Sequence, residues 1–173
     1  ILPSNYLSLM KKKLIKKSIF IKKIVSGASS LNSKDKIDLI KSGSKFFEMY
    51  GASEVGTVTS FNINKNNKKL NSVGKILKNI SIKIVDEYNN FLPYGQTGEI
   101  VCKTPLKFKG YYKNNLLTKK SFIKGYFKTG DLGKIDKDSY LYFLSRKQDM
   151  IISSGKNIYP IDVEKELLKL KYI

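Results

Sequence analysis

From Ile80 to Ser153 the sequence is cut into short apolar or β-branched runs, each closed by a turn signal, and few folds accommodate that rhythm. Candidate strands are Ile80–Asp86, Gly98–Lys103, Leu132–Asp136, Tyr140–Leu144 and Met150–Ser153. Between them stand the breakers Glu87-Tyr88-Asn89-Asn90, Pro93-Tyr94-Gly95 and Asp136-Lys137-Asp138. Many short strands joined by such turns predict a small antiparallel barrel or sheet over 72–145. Upstream the pattern differs. Residues 4–17 read as a helix with Leu7, Met10 and Leu14 on one face. Ile19–Val25 reads as a strand running into Ser26-Gly27-Ala28, and Asn32 or Ser33 caps a helix carrying Ile37, Leu39 and Ile40. Phe46–Tyr50 is a second buried strand that ends at Gly51. This strand–helix–strand unit over 1–60 predicts an α/β fold with parallel strands. Asn62–Asn71 reads as an exposed polar loop, and Pro160 opens a last helix with Val163, Leu167 and Leu170 on one face.

Composition removes several chemistries. The 173 residues contain no histidine, which excludes a His-based triad and a histidine metal site. A single cysteine, Cys102, excludes a disulfide framework and a cysteine-rich metal centre, and suits a reducing cytoplasm. No apolar run reaches the ~20 residues of a membrane-spanning helix. The charge of +19, from 33 Lys+Arg against 14 Asp+Glu, invites a nucleic-acid reading. Every cation except Arg146 is lysine, however, spread along the whole chain as a background bias would spread it. Specific phosphate or base recognition recruits arginine, so no specific nucleic-acid partner is expected.

Three segments combine glycine, acid and hydroxyl beyond what a core needs. Tyr50-Gly51-Ala52-Ser53-Glu54 ends a predicted strand, where ligands bind in open α/β sheets. An aromatic ring there can stack on a base, a hydroxyl can meet phosphate, and a carboxylate can hold Mg2+. Taken alone, the segment reads first as an ordinary turn with a surface glutamate. Asp131, in Tyr126-Phe127-Lys128-Thr129-Gly130-Asp131, can accept from a ribose diol or simply form an Asx turn. The lone Arg146 can grip ribose or phosphate oxygens, or pair with Asp149 on the surface.

In this order the segments resemble motifs of the ATP-dependent acyl-adenylate-forming enzymes, the superfamily of acyl-CoA synthetases, luciferases and peptide-synthetase adenylation domains. The likeness runs from about Val25 to the last residue. Ser26–Leu31 is similar to a Gly-Gly-Ala-Pro-Leu segment, and Tyr50–Glu54 to Tyr-Gly-x-Ser/Thr-Glu. Gly98-Glu99-Ile100 with Gly110-Tyr111-Tyr112 resembles Gly-Glu-Leu…Gly-Tyr. Tyr126–Asp131 resembles Trp/Tyr-Phe-x-Thr-Gly-Asp, and Ser145–Glu164 resembles Gly-Arg-x-x-Asp…Gly-x-x-Ile-x-Pro-x-x-Ile-Glu.

The resemblance implies the rear part of a large AMP-binding domain over 1–145, then a hinge and the start of a small α+β domain over 146–173. It implies that Tyr50 and Gly51 contact adenine, opposite the Gly27-Ala28 backbone. Ser53 and Glu54 would serve the α-phosphate, Glu54 holding Mg2+. Asp131 and Arg146 would bind the ribose. Gln148 would stand at the hinge, and Gly155 would leave room for the pantetheine arm of coenzyme A. The implied partners are ATP, coenzyme A, a carboxylic acid (a fatty acid, by the likeness around Ser153–Pro160) and the remainder of the chain. The family's upstream phosphate loop and its terminal catalytic lysine have no counterpart within these residues, so the chain is expected to be an inactive fragment by itself. A peptide-synthetase adenylation domain and a non-catalytic basic binding module are the competing expectations.

Overall fold

A computed structural model describes residues 8, 22–27, 31, 33–41, 45–63, 67–154, 156–167 and 170. The expected helix over 4–17, apart from Ser8, lies outside the described residues, as do Ala28 and Gly155.

Strand β1 (Lys23–Ser26) alternates outward and inward, with Ile24 and Ser26 buried. Helix α1 (Ser33–Lys41) follows and turns Lys36 and Leu39, one helical turn apart, towards the sheet. Strand β2 (Lys45–Ala52) lies parallel to β1, with Ile24 opposite Phe46 and Ser26 opposite Glu48. The parallel α/β unit is therefore as expected. Leu39 and Phe46 are fully buried with Ile24, Phe61 and Ile63. Each such side chain contributes about 1.5–3 kcal/mol, which fastens α1 to the sheet. Beside them sits a buried ion pair, Lys36–Glu48, both side chains 3% exposed. Lys36 Nζ also donates to Leu70 O at 2.7 Å, which draws the following loop onto the helix.

Strand β3 (Gly56–Asn62) returns antiparallel to β2, a strand the sequence reading did not isolate. The short β4 (Gly74–Ile76) then bridges β3 to β9 (Tyr140–Arg146). The remaining strands are β5 (Ser81–Val85), β6 (Gly98–Lys103), β7 (Phe122–Ile123) and β8 (Tyr126–Ile135). Among the described residues they complete a nine-stranded sheet of order β1-β2-β3-β4-β9-β8-β6-β5, with β7 on β8. Helix α2 (Asn115–Lys120) precedes β7, capped by the Asn114 side chain, which accepts from Leu117 N–H. A separate ribbon, β10 (Ile151–Ser153) with β11 (Lys156–Ile158), leads to helix α3 (Pro160–Leu167).

Among the described residues the antiparallel half forms the sheet of the expectation rather than a closed barrel. β4 continues the ladder from β9 to β3 and so onto the α/β unit, leaving β5 and β1 as the two ends of an open sheet. One face still wraps a shared core: Val58, Ile82, Ile100, Phe127 and Leu141, from five strands, pack in one cluster. The predicted exposed loop Asn62–Asn71 is also only partly so. Ile63 is fully buried, and Leu70 packs on the second core because each is apolar in an otherwise polar run.

Candidate active site

β2 is the seam of the sheet, parallel to β1 on one side and antiparallel to β3 on the other. Its ladder slips between Tyr50 and Gly51, and the chain turns at Ser53–Val55 into β3. Gly51 is demanded by this turn, since a Cβ there would overlap Gly56 O and lie 2.8 Å from Thr57 Cα. A cleft of about 660 Å3 opens at this seam, lined by Gly27, Tyr50, Gly51, Ser53, Glu54 and Arg146.

Asp131 stands behind it. It lies inside strand β8, not in an isolated Asx turn, directly opposite Arg146 of β9. Gly130, with φ +72, takes a left-handed conformation that suits glycine just before the carboxylate. Asp131 is 2% exposed. Its Oδ2 accepts from Tyr50 Oη at 2.6 Å, and its Oδ1 lies 3.0 Å from Arg146 Nη1. Its own N–H donates to Thr129 Oγ1 at 3.1 Å, and Thr129 Oγ1 donates to Ile100 O at 2.8 Å. Arg146 thus pairs with Asp131 rather than with Asp149, and its side chain stays 56% exposed at the rim. Burial pushes the Asp131 carboxyl above the ordinary range, against the Tyr50 hydrogen bond and the Arg146 charge, which pull it down. Burial, and then the adjacent Asp131 charge, push the Tyr50 phenol well up, so that it remains a donor. Oδ1 of Asp131 is buried and faces Arg146, without a well-aligned hydrogen-bond donor among the described residues.

Glu54 projects from the turn. Its Oε1 accepts from Tyr111 Oη at 3.0 Å, and its carbonyl accepts from Phe108 N–H at 2.7 Å. It is half-buried rather than a free surface glutamate. Neighbouring Ser53 is exposed. Among the described residues no group of three or more His, Cys, Asp or Glu could hold a metal, so Glu54 offers a single carboxylate. A site of that kind suits Mg2+, which keeps waters and leans on substrate phosphates rather than on a protein cage.

Gln148 lies in a single 3-10 turn, Lys147–Asp149, directly after Arg146. It lines a second cleft of about 390 Å3 that shares Thr129 and Arg146 with the first. Lys147 Nζ bonds Glu99 Oε2 at 2.8 Å, and Lys128 Nζ stands 3.6 Å from the same oxygen. Thr129, Glu99 and Tyr111 had drawn no role from the sequence, although each lies within a segment singled out there. The contacts that define them join residues far apart in the chain, and no local spacing announces them. Among the described residues no helix is long and apolar enough to cross a membrane.

The cleft, lined by a tyrosine and an arginine that both hold a buried carboxylate behind it, opens where ligands bind in open α/β sheets, beyond the carboxyl end of a strand. Residues 2–112 match the family model of the AMP-binding enzyme, and the chain belongs to that family. It is 50% identical over 101 residues to the 2-succinylbenzoate–CoA ligase of Bacillus licheniformis, covering 58% of this chain and 21% of the relative. In structure it resembles o-succinylbenzoate CoA synthetase from Bacillus subtilis in complex with the acyl-adenylate intermediate OSB-AMP. That match has a TM-score of 0.87 and 31% identity, over 98% of this chain and 35% of the other. The same enzyme in complex with ATP and magnesium ion matches with a TM-score of 0.81 and 28% identity, over 97% of this chain and 39% of the other. The chain spans about a fifth to a quarter of the length of the curated relatives it matches.

Proposed function

We propose that the chain is the adenosine-binding part of an AMP-forming carboxylate–CoA ligase. The observation that carries this reading is a cleft lined by Tyr50 and Arg146, both of which reach back to the buried Asp131 carboxylate directly behind it. Tyr50 gives its hydroxyl to Asp131 and its ring stacks on the base. Gly27 and Gly51 let a flat ligand approach the backbone. Asp131 accepts from the ribose hydroxyls and Arg146 donates at the rim. Ser53 meets the α-phosphate. Glu54 holds Mg2+, which supplies positive charge to the phosphate oxygens when bound.

The reaction is attack of a substrate carboxylate oxygen on the α-phosphorus of ATP. The bond to the bridging oxygen breaks and pyrophosphate leaves, giving an acyl-AMP. The thiol of coenzyme A then attacks the acyl carbon and AMP departs. Residues of this chain contribute by orienting the adenosine and by placing charge near the α-phosphate. Gln148 is the pivot between 1–145 and the small domain that begins at 146, and Gly155 passes the pantetheine arm.

The acyl group is read differently from the fatty acid of the sequence expectation. Most of the similar relatives are 2-succinylbenzoate–CoA ligases, so an aromatic keto acid of the 2-succinylbenzoate type is the proposed substrate. The test is thioester formation by the full-length protein with 2-succinylbenzoate and with a series of fatty acids. Preference for 2-succinylbenzoate supports the reading, and preference for a fatty acid overturns its substrate. An Asp131→Ala variant that keeps its fold and still binds AMP as the wild type does would overturn the adenosine site.

A further inference from the structure

Carboxylates in this lysine-rich chain commonly meet cations. Glu48 faces Lys36, Glu99 faces Lys147 and Lys128, Asp136 faces Lys69, and Asp131 faces Arg146. Glu54, at the mouth of the cleft, instead meets a phenol, with Tyr111 Oη donating to Oε1 at 3.0 Å. A phenol orients a carboxylate without cancelling its charge, whereas an ammonium there would compete with any incoming cation.

The phenol is itself well braced. Tyr111 N–H donates to Thr118 Oγ1 at 2.9 Å, and Thr118 Oγ1 donates to Asn114 O at 2.9 Å, at the start of α2. The Tyr111 ring packs edge-on against Phe108, centroids 4.9 Å apart, and Phe108 N–H holds the Glu54 carbonyl. Helix α2, which buries no side chain of its own, thus acts on the cleft through Thr118 and Tyr111.

We propose that Tyr111 is a positioning residue that fixes the Glu54 carboxylate, with its charge intact, for a divalent cation bound alongside the nucleotide phosphates. This rests on the reading of Glu54 as the Mg2+ residue. One oxygen is occupied by the phenol, and the other is left for the cation.

The test is calorimetric titration of ATP into the full-length protein, once with excess Mg2+ and once with EDTA. Wild type, Tyr111→Phe, Thr118→Val and Glu54→Gln are compared. Tyr111→Phe should lose about tenfold of the affinity gained with Mg2+ and keep its affinity in EDTA. Thr118→Val should move the same way by less, and Glu54→Gln should lose the Mg2+ gain altogether. A Tyr111→Phe loss that is equal with Mg2+ and EDTA means ordinary structural damage and overturns the proposal, as does no loss at all. If Glu54→Gln retains the Mg2+ gain, or if wild type shows none, the reading of Glu54 fails and the proposal falls with it.

Discussion

Tyr50 and Asp131, 81 residues apart in sequence, are joined by a 2.6 Å hydrogen bond from phenol to carboxylate at the back of the cleft. Tyr50→Phe leaves a buried carboxylate oxygen without that donor. The expected cost is about 1–3 kcal/mol of stability, read as a lower urea midpoint with unchanged slope. AMP affinity should fall less than in Asp131→Ala, where loss of a charge-assisted acceptor costs roughly 10- to 100-fold.

The raised Asp131 pKa gives AMP binding an acid limb. A ribose hydroxyl donates to the carboxylate, so affinity is full while Asp131 is ionised and falls as it protonates. Because the folded pKa lies above the usual ~3.9, the loss begins at a higher pH than for an exposed aspartate. Arg146→Met removes a charge that pulls this pKa down, so its limb should move further up the pH scale. AMP titrations in a pH series check this, and a limb that stays put or moves down contradicts it.

The Lys36–Glu48 pair predicts a large effect far from the cleft. Lys36→Met strands a buried carboxylate and should cost about 3–5 kcal/mol at neutral pH. Glu48 already titrates above its unfolded value because burial outweighs Lys36, and the substitution removes the opposing charge. A folded-state pKa above the unfolded one means stability is lost as pH rises between them. The deficit of the variant should therefore shrink as the solution is acidified below the new Glu48 pKa. Denaturant melts at neutral and mildly acidic pH measure it.

Asp136 has the opposite sign. Burial raises its pKa, but hydrogen bonds from Lys69, the Tyr140 N–H and the Tyr142 hydroxyl outweigh this and leave it lowered. Its contribution is present above the unfolded pKa and is lost as pH falls through the folded one. Lys69→Met should shift that acid loss to higher pH, seen as an earlier midpoint in acid unfolding.

Gly51→Ala should destabilise the β2–β3 turn by about 1–3 kcal/mol or more, because the new methyl meets backbone that cannot step aside. The same change should weaken AMP binding, since Tyr50, Ser53 and Glu54 hang from that turn. A variant as stable as wild type would show that the turn relaxes freely.

Much of the site was legible because its parts sit in compact motifs: Tyr50 to Glu54, Tyr126 to Asp131 and the solitary Arg146. Their meeting in space came from the order of the motifs, not from any periodicity. The parallel β1–α1–β2 unit was readable from its apolar rhythm. β3 was not, because its buried positions Val58, Thr59 and Phe61 break the alternation, Thr59 being buried with its hydroxyl donating to Val73 O. α2 was missed for a related reason, as Leu116 and Leu117 are exposed and give the helix no apolar face to detect. The open sheet was hidden in β4, three residues long, whose pairing decides that the antiparallel strands join the α/β unit. Tyr111 and Glu54 are 57 residues apart, beyond the reach of any local pattern.

Lys147, moored to Glu99 at 2.8 Å, is the last residue of the described chain tied into the large sheet by a salt bridge before Gln148. The proposed swing of the β10–β11 ribbon about Gln148 would therefore have its fulcrum outboard of that mooring. In such a swing the Arg146–Asp131 pair would stay with the sheet, whereas α3, which packs against β9, would have to leave it.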